Sequence, residues 1–309
     1  MLYDNFGRPV LNLRISLTQR CNYCCPYCHR EGEASLPLRE MSLDEVVRIV
    51  RIAVPLGISR VKLTGGEPLL RSDILEIVKK IAELRGLRDL SMTTNGTLLS
   101  SLAKELRQNG LRRVNVNFPT LNAEKYRELT GGNLKDAFDG IRAAVKAGLY
   151  PVKLNMLVLH GVNEKEVFRM VGFARSSETI LQLIELEPVN VDTSYYLRYH
   201  YALDGVEAEL GKQALQVRTR GDMQNRRVYF LPGVKVEVVR PVENTEFCGR
   251  CTRLRVTSDG RLKPCLMRSD NLVDVLAPMR NGADDEELRR LFVEAVRRRE
   301  PYYRAVNVN

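Results

Sequence analysis

The chain has 309 residues, 44% of them hydrophobic, and a formal net charge of +10. This length supports a sizeable core in one large domain with a smaller appendage, and no window approaches the roughly 18 apolar residues of a membrane span. The opening MLYDNFGRPV lacks the basic start and apolar run of a signal peptide, so a cytoplasmic setting with reduced thiols is expected. The basic surplus admits a polyanionic partner such as a nucleotide, although much of it can be solvated helix face, as in ELRRLFVEAVRRRE near the end. The absence of Trp weighs against a stacking platform for nucleic acid.

From residue 11 to about 187, β-like runs alternate with helix-like stretches. Strands are predicted over 11–17, 60–66, 88–95, 112–118, 151–159 and 181–187. Between them lie amphipathic segments such as LDEVVRIVRIAV and ILEIVKKIAELR, with turn signals at Gly65-Gly66, Asn95-Gly96, Gly131-Gly132 and Gly148. Asn95-Gly96 reads as a turn opening the next helix. Six βα repeats imply a parallel sheet with helices outside. Within the strands Leu13 and Ile15 alternate with Asn12 and Arg14, Val61 and Leu63 with Lys62 and Thr64, and Val114 and Val116 with Asn115 and Asn117. Val152 and Leu154 alternate with Lys153 and Asn155 in the same way. A complete barrel fills its interior with branched apolar layers, whereas a polar interior implies a wider or incomplete barrel that holds a ligand. The expected fold is therefore α/β, an incomplete (β/α)6 TIM-type barrel over 1–190. Beyond it, a helical stretch to about 216, short strands VYFL and VKVEVVR, and a charged final helix form a smaller C-terminal region, 191–309, expected to close one mouth. Burying Arg14, Lys62 and Lys153 unpaired would cost several kcal/mol each, which an anionic ligand would offset.

The seven cysteines sit in two places only, 21–28 and 248–265. In CNYCCPYC, adjacent Cys24 and Cys25 point in different directions, which argues against one four-thiolate zinc site. CPYC alone is a dithiol signature that needs a thioredoxin-type βαβ context, which the loop after the first strand does not clearly supply. The set Cys21, Cys25 and Cys28 reads C-x3-C-x2-C, and Cys248, Cys251 and Cys265 read C-x2-C-x13-C. A structural zinc site is closed by four ligands, and none of the three histidines stands at metal-ligand spacing from either group. A cubane held by three thiolates keeps one iron open, so two trios favour two [4Fe-4S] clusters. Cys24 is left over as a bystander.

The spacing C-x3-C-x2-C after the first strand, with Tyr27 before the last Cys and TGGEP at 64–68 after the second strand, resembles the radical S-adenosylmethionine (SAM) superfamily. With the second trio, the chain resembles over essentially its whole length the molybdenum cofactor biosynthesis protein A family of GTP 3′,8-cyclases. The resemblance implies that the first cluster reductively cleaves SAM and that the resulting 5′-deoxyadenosyl radical abstracts hydrogen from the GTP ribose. The product is (8S)-3′,8-cyclo-7,8-dihydroguanosine 5′-triphosphate, and the second cluster's open iron binds guanine. Carried over by position, Arg14, Lys62, Thr93, Lys153, Arg253 and Arg255 contact GTP, while Tyr27, Gly66, Asn117 and Glu187 contact SAM. No catalytic residue is assigned beyond the cluster ligands. Asn117 stands where bacterial members usually have Ser, Glu187 where they have Met, Gln182 where they have Arg, and Lys62 where they have Arg. The end YYRAVNVN lacks the Gly-Gly tail of the better-known members.

The partners implied are GTP, an external reductant such as a flavodoxin or ferredoxin, a downstream enzyme forming the cyclic pyranopterin, and a second copy of the chain; no nucleic acid or membrane is expected. Two rival readings are a peptide-modifying radical SAM enzyme with an auxiliary cluster and a basic, zinc-containing nucleic-acid-binding protein. The pair Arg253 and Arg255 favours a nucleotide, because planar guanidinium groups suit bidentate phosphate contacts.

Overall fold

The computed structural model describes residues 1–33 and 39–303. Residues 304–309, where the missing Gly-Gly tail was read, lie outside the described residues.

The six predicted strands are present as β1 (Asn12–Ser16), β2 (Arg60–Thr64), β3 (Asp89–Thr94), β4 (Arg113–Asn117), β5 (Lys153–Val158) and β6 (Ile180–Glu185). Their apolar alternates, among them Leu13, Ile15, Val61, Leu63, Val114, Val116 and Leu154, are buried against the connecting helices. Those helices are α1 (Leu43–Ala53), α2 (Ile74–Ala82), α3 (Leu99–Gln108), α4 (Ala123–Thr130), α5 (Leu134–Lys146) and α6 (Val167–Ser176). Local chemistry starts them: Ser42 and Glu45 form a capping box at α1, and Asn122 and Asn133 cap α4 and α5. Helix α1 then buries Val46, Ile49, Val50, Ile52 and Ala53, a single face at helical spacing.

After residue 190 come α7 (Thr193–Tyr199), α8 (Asp204–Gln213), β7 (Gln216–Arg220), β8 (Arg226–Leu231), β9 (Val234–Val239), α9 (Thr245–Gly249), β10 (Arg253–Val256), β11 (Arg261–Lys263) and β12 (Val273–Asp274). Helices α10 (Leu276–Arg280) and α11 (Asp285–Arg297) follow. All strands join one open sheet in the order β12-β11-β10-β1-β2-β3-β4-β5-β6-β9-β8-β7. Strands β1 to β6 are parallel neighbours in chain order, β10 lies parallel beside β1, and β9 lies parallel beside β6.

The parallel α/β arrangement is as expected and the sheet is not closed, whereas the expectation of a C-terminal region closing one mouth did not include the strands that this region adds on both sides of the six-stranded core. The physical reason is that a six-stranded parallel sheet leaves two edges of unpaired backbone donors and acceptors, and β9 and β10 pair with them. The two flanks meet through a loop and not a ladder: Asp222 O accepts from Thr252 Oγ1 at 3.0 Å, Arg250 O accepts from Gln224 N at 3.3 Å, and Asp222 pairs with Arg60 at 2.8 Å. No helix among the described residues is long and apolar enough to cross a membrane.

Candidate active site

The polar alternates of the strands face a cavity of about 270 Å3. Every residue predicted to contact GTP (Arg14, Lys62, Thr93, Lys153, Arg253, Arg255) or SAM (Tyr27, Gly66, Asn117, Glu187) lines it, as do Cys21, Cys25 and Cys28. Strand register explains the grouping, because Arg14 is paired with Lys62 on one side and Arg255 on the other, and Asn115 with Thr93 and Lys153. Cys248, Cys251 and Cys265 line a second, smaller cavity of about 60 Å3, which shares Glu187, Arg253, Arg255 and Leu266 with the first.

The first cysteine loop is held in place by the segment after β2. Gly66 N donates to Thr18 O at 2.7 Å and Glu67 N to Arg20 O at 2.8 Å. A Cβ on Gly65 would stand 2.3 Å from Thr18 O, and one on Gly66 would stand 2.3 Å from Arg20 O, so only glycine permits this approach. The Glu67 carboxylate, fully buried, accepts from Thr94 Oγ1 at 2.7 Å, Asn95 N at 2.7 Å and Leu69 N at 3.0 Å, tying β2 to the turn after β3. Burial pushes the Glu67 carboxyl up to about 7. Asn95 opens the turn before α3, as predicted, and also lines the cavity and donates to Asn22 Oδ1 at 2.7 Å.

Neighbouring thiols separate as their backbone directions require: Cys25 faces the cavity, whereas Cys24 is exposed and stands off it. Burial pushes the Cys25 thiol up to about 12, with the charges of Cys28, Cys21 and Cys24 adding to it, and raises Cys21 and Cys28 as well. Deprotonating such a trio calls for a cationic group among the thiols, which the irons of a cluster supply. Among the described residues no three Cys, His, Asp or Glu side chains converge as the ligands of a single metal ion do. A cubane does not need that convergence, since each thiolate binds its own iron. All seven thiols are free. The donor sets at both trios therefore fit a cluster. Glu187 Oε2 is buried between the cavities without a partner among the described residues, an acceptor suited to an ammonium or hydroxyl of a bound ligand. Tyr27, buried among apolar neighbours, accepts from Asn117 Nδ2 at 3.3 Å.

The electrostatics of the main cavity are cationic. Lys62 donates only to the neutral Asn115 Oδ1, at 2.9 Å, and Arg253 forms no salt bridge among the described residues. Burial, with Arg113, Arg14 and Lys153 nearby, holds the Lys62 ammonium well below its ordinary value, and burial with Arg226, Arg255 and Arg14 does the same to Arg253. Several acids that sequence reasoning missed hold the other cations. Glu31 accepts from Arg14 Nη2 at 2.6 Å, Arg255 Nη1 at 2.7 Å and Thr64 Oγ1 at 2.9 Å. Burial pushes the Glu31 carboxyl up, but Arg14, Arg255 and His29 overcome it and hold it at about 2. Asp89 pairs with Arg113 at 2.5 Å, and Glu237 binds Lys153, Arg220 and Arg226. Strand alternation could have found Glu237, beside Lys235 on one face of VKVEVVR; no periodicity marks Glu31, which sits on a left-handed loop residue at φ 54°.

Comparison with known proteins agrees with this geometry. Residues 15–174 match the Radical SAM superfamily, and residues 179–305 match Molybdenum Cofactor Synthesis C. A "Probable GTP 3′,8-cyclase" of Thermococcus kodakarensis is 53% identical over 98% of this chain and all of its own length. Proteins of the same name from Methanothermobacter marburgensis and Pyrococcus abyssi are 50% and 51% identical over 98% of this chain, covering 99% and 100% of their own lengths. The chain belongs to the GTP 3′,8-cyclase family of the radical SAM superfamily. Among solved structures, native anSMEcpe with bound AdoMet superposes with TM-score 0.62 at 17% identity, covering 94% of this chain and 81% of its own. Streptococcus suis SuiB bound to S-adenosylmethionine gives 0.61 at 18% identity, covering 83% and 60%. At these identities the likeness is one of fold.

Proposed function

We propose that this chain is a radical SAM GTP 3′,8-cyclase, which converts GTP to its 3′,8-cyclised dihydroguanosine triphosphate in molybdenum cofactor biosynthesis. The observation that carries it is the shared wall of the two thiol-lined cavities, where Arg253 and Arg255 stand between the trios with Arg14 and Lys62 beside them. A triphosphate there offsets the cost of the buried cations, and the arginine forks fix its orientation through paired N–H donors. Cys21, Cys25 and Cys28 would hold the first cluster, which when bound would supply the electron for reductive cleavage of SAM. The protein's own part is to hold the methionine end near Gly66, to offer Tyr27, Asn117 and Glu187 to the rest of SAM, and to keep water from the reacting ribose inside the strand-lined cavity. Cys248, Cys251 and Cys265 would hold the second cluster, which would supply an open coordination position for the guanine. Strong sequence identity to proteins named probable GTP 3′,8-cyclases supports the substrate.

The reading further places an external low-potential reductant such as a flavodoxin or ferredoxin before this step, and after it an enzyme that closes the cyclic pyranopterin. A homodimer is compatible with it. It also keeps the division at residue 190 as a boundary between the SAM-cleaving portion and the portion carrying the second trio, with one sheet crossing it.

Anaerobic reconstitution is expected to load about eight iron and eight sulfide per chain, and the loaded protein with SAM, GTP and a strong reductant should form the cyclised nucleotide. Cys251→Ala should still cleave SAM while losing GTP conversion. Full cyclase activity in that variant would overturn the role given to the second trio, and zinc in place of iron would overturn the reading as a whole.

A further inference from the structure

The second thiol trio rests on a buried charge cluster drawn from the two ends of the chain. Asp4, near the N-terminus, has a fully buried side chain and binds two arginines through one oxygen: Arg8 Nε at 2.8 Å and Arg299 Nη1 at 3.2 Å. Its other oxygen accepts from Phe6 N and Arg8 N, both at 3.0 Å, which leaves it no freedom to turn away. Each arginine then reaches the backbone of a cysteine. Arg8 Nη1 donates to Cys248 O at 2.7 Å and Arg299 Nη2 donates to Cys251 O at 2.5 Å. Both arginines line the second cavity together with the trio.

Two further observations separate this from an ordinary structural ion pair. One carboxylate neutralises only one of two guanidinium groups, so a net positive charge remains buried beneath Cys248 and Cys251. Arg299 is 1% exposed, and its Nε is buried with no acceptor among the described residues. A donor left unpaired at that depth is destabilising unless something absent from the polypeptide accepts its hydrogen. Of the other charges around this cavity, Arg253 and Arg255 add to the positive side, while Glu187 and Glu300 oppose it.

We propose that Arg8 and Arg299, clamped together by Asp4, are positioning residues for the cluster on Cys248, Cys251 and Cys265, fixing the cysteine carbonyls and stabilising the reduced cluster with their surplus charge. The inference rests on the reading of that trio as a cluster site. Reduction adds one negative charge to the cluster, and nearby cations and hydrogen-bond donors favour the more negative state. Arg299 thus leaves the class of solvated arginines in which the charged final segment placed it.

The test uses the full chain with Cys21, Cys25 and Cys28 all changed to Ser, so that any cluster signal belongs to the second site. After anaerobic reconstitution, iron and sulfide counts of about four each establish the site itself; failure to load any cluster defeats the reading of the trio, and with it this inference. With the site loaded, dithionite titration followed by electron paramagnetic resonance gives the midpoint potential. In Arg299→Met the reduced-to-oxidised ratio at a fixed potential should fall at least tenfold, a downward shift of about 59 mV for one electron. Arg299→Lys, which keeps the charge, should recover more than half of that shift. Asp4→Asn, which removes the opposing charge, should move the potential upward. Loosening that admits water would move both variants in the same direction, so the opposite signs of Arg299→Met and Asp4→Asn mark a charge effect, and Asp4→Asn together with Arg299→Lys carries the test should Arg299→Met fail to fold. At full cluster occupancy, an unchanged or lowered potential in Asp4→Asn overturns the proposal, as does a shift in Arg299→Lys as large as that in Arg299→Met.

Discussion

Lys62 shows how burial and like charge together prepare a site for an anion. Among the described residues its acceptor is an amide oxygen, and its neighbours Arg14, Arg113 and Lys153 are cations. In the free protein its pKa is lowered by burial first and by those cations second; a bound triphosphate reverses the balance and raises it. GTP binding should therefore take up a proton, and affinity should fall as pH rises through the interval between the free and bound values. Titration calorimetry in buffers of different ionisation enthalpy measures the uptake. Lys62→Arg stays charged throughout and should lose this share of it; equal uptake in the two proteins would show that Lys62 is not the titrating group.

Glu31 makes a different prediction, because its environment pulls the other way. Its pKa is about 2 in the folded protein against an ordinary 4.5. A lowered carboxyl pKa means stability that is fully present above about pH 4.5 and is lost as pH falls toward 2. Glu31→Gln leaves Arg14 and Arg255 side by side without their counter-charge and should cost about 3 kcal/mol at neutral pH. Urea unfolding of the metal-free chain should show that deficit shrinking as pH falls from 4.5 to 2; a deficit independent of pH would mean that the ion pairs are not its cause. The cysteine trios and the paired arginines were legible in the sequence because spacing and residue type announce them. The counter-charges were not, since Glu31 meets Arg255, Glu237 meets Lys153 and Asp4 meets Arg299 far along the chain.

At the level of elements, the loop carrying the first trio owes its shape to backbone contact with the glycines after β2. Gly66→Ala would drive a methyl into Arg20 O and Gln19 O, which stand 2.3 and 2.7 Å from where the Cβ would lie. Since those are backbone atoms, the loop must move. The variant should retain iron at the second site and lose it at the first, so that reconstitution gives about half the normal iron. A full iron content with normal SAM cleavage would show that the loop can adapt. The six core strands follow their hydrophobic alternation closely, with ends shifted by one or two residues. Strands β7, β10, β11 and β12 were missed; an edge strand such as QVRTR is exposed along most of its length and carries no apolar alternation to read.

For the molecule as a whole, the C-terminal region completes the fold as well as the chemistry. A fragment of residues 1–190 would expose both parallel edges now covered by β9 and β10, together with the apolar faces packed against them. Such a fragment is expected to aggregate or remain unfolded when expressed alone, and co-expression with 191–309 should restore soluble protein. A monomeric, cooperatively unfolding fragment, read by sedimentation and calorimetry, would show instead that the two portions are independent.

The sequence by itself determined the strand faces, the helix starts and the two thiol trios, because each depends on residues within one or two turns of chain. Tertiary structure decided which edges the C-terminal strands occupy and which buried acids hold which cations. Those outcomes depend on pairings between residues more than a hundred positions apart, such as Arg14 with Arg255 or Asp4 with Arg299. Their energies arise only once burial has removed water from both partners, and no local pattern encodes that step.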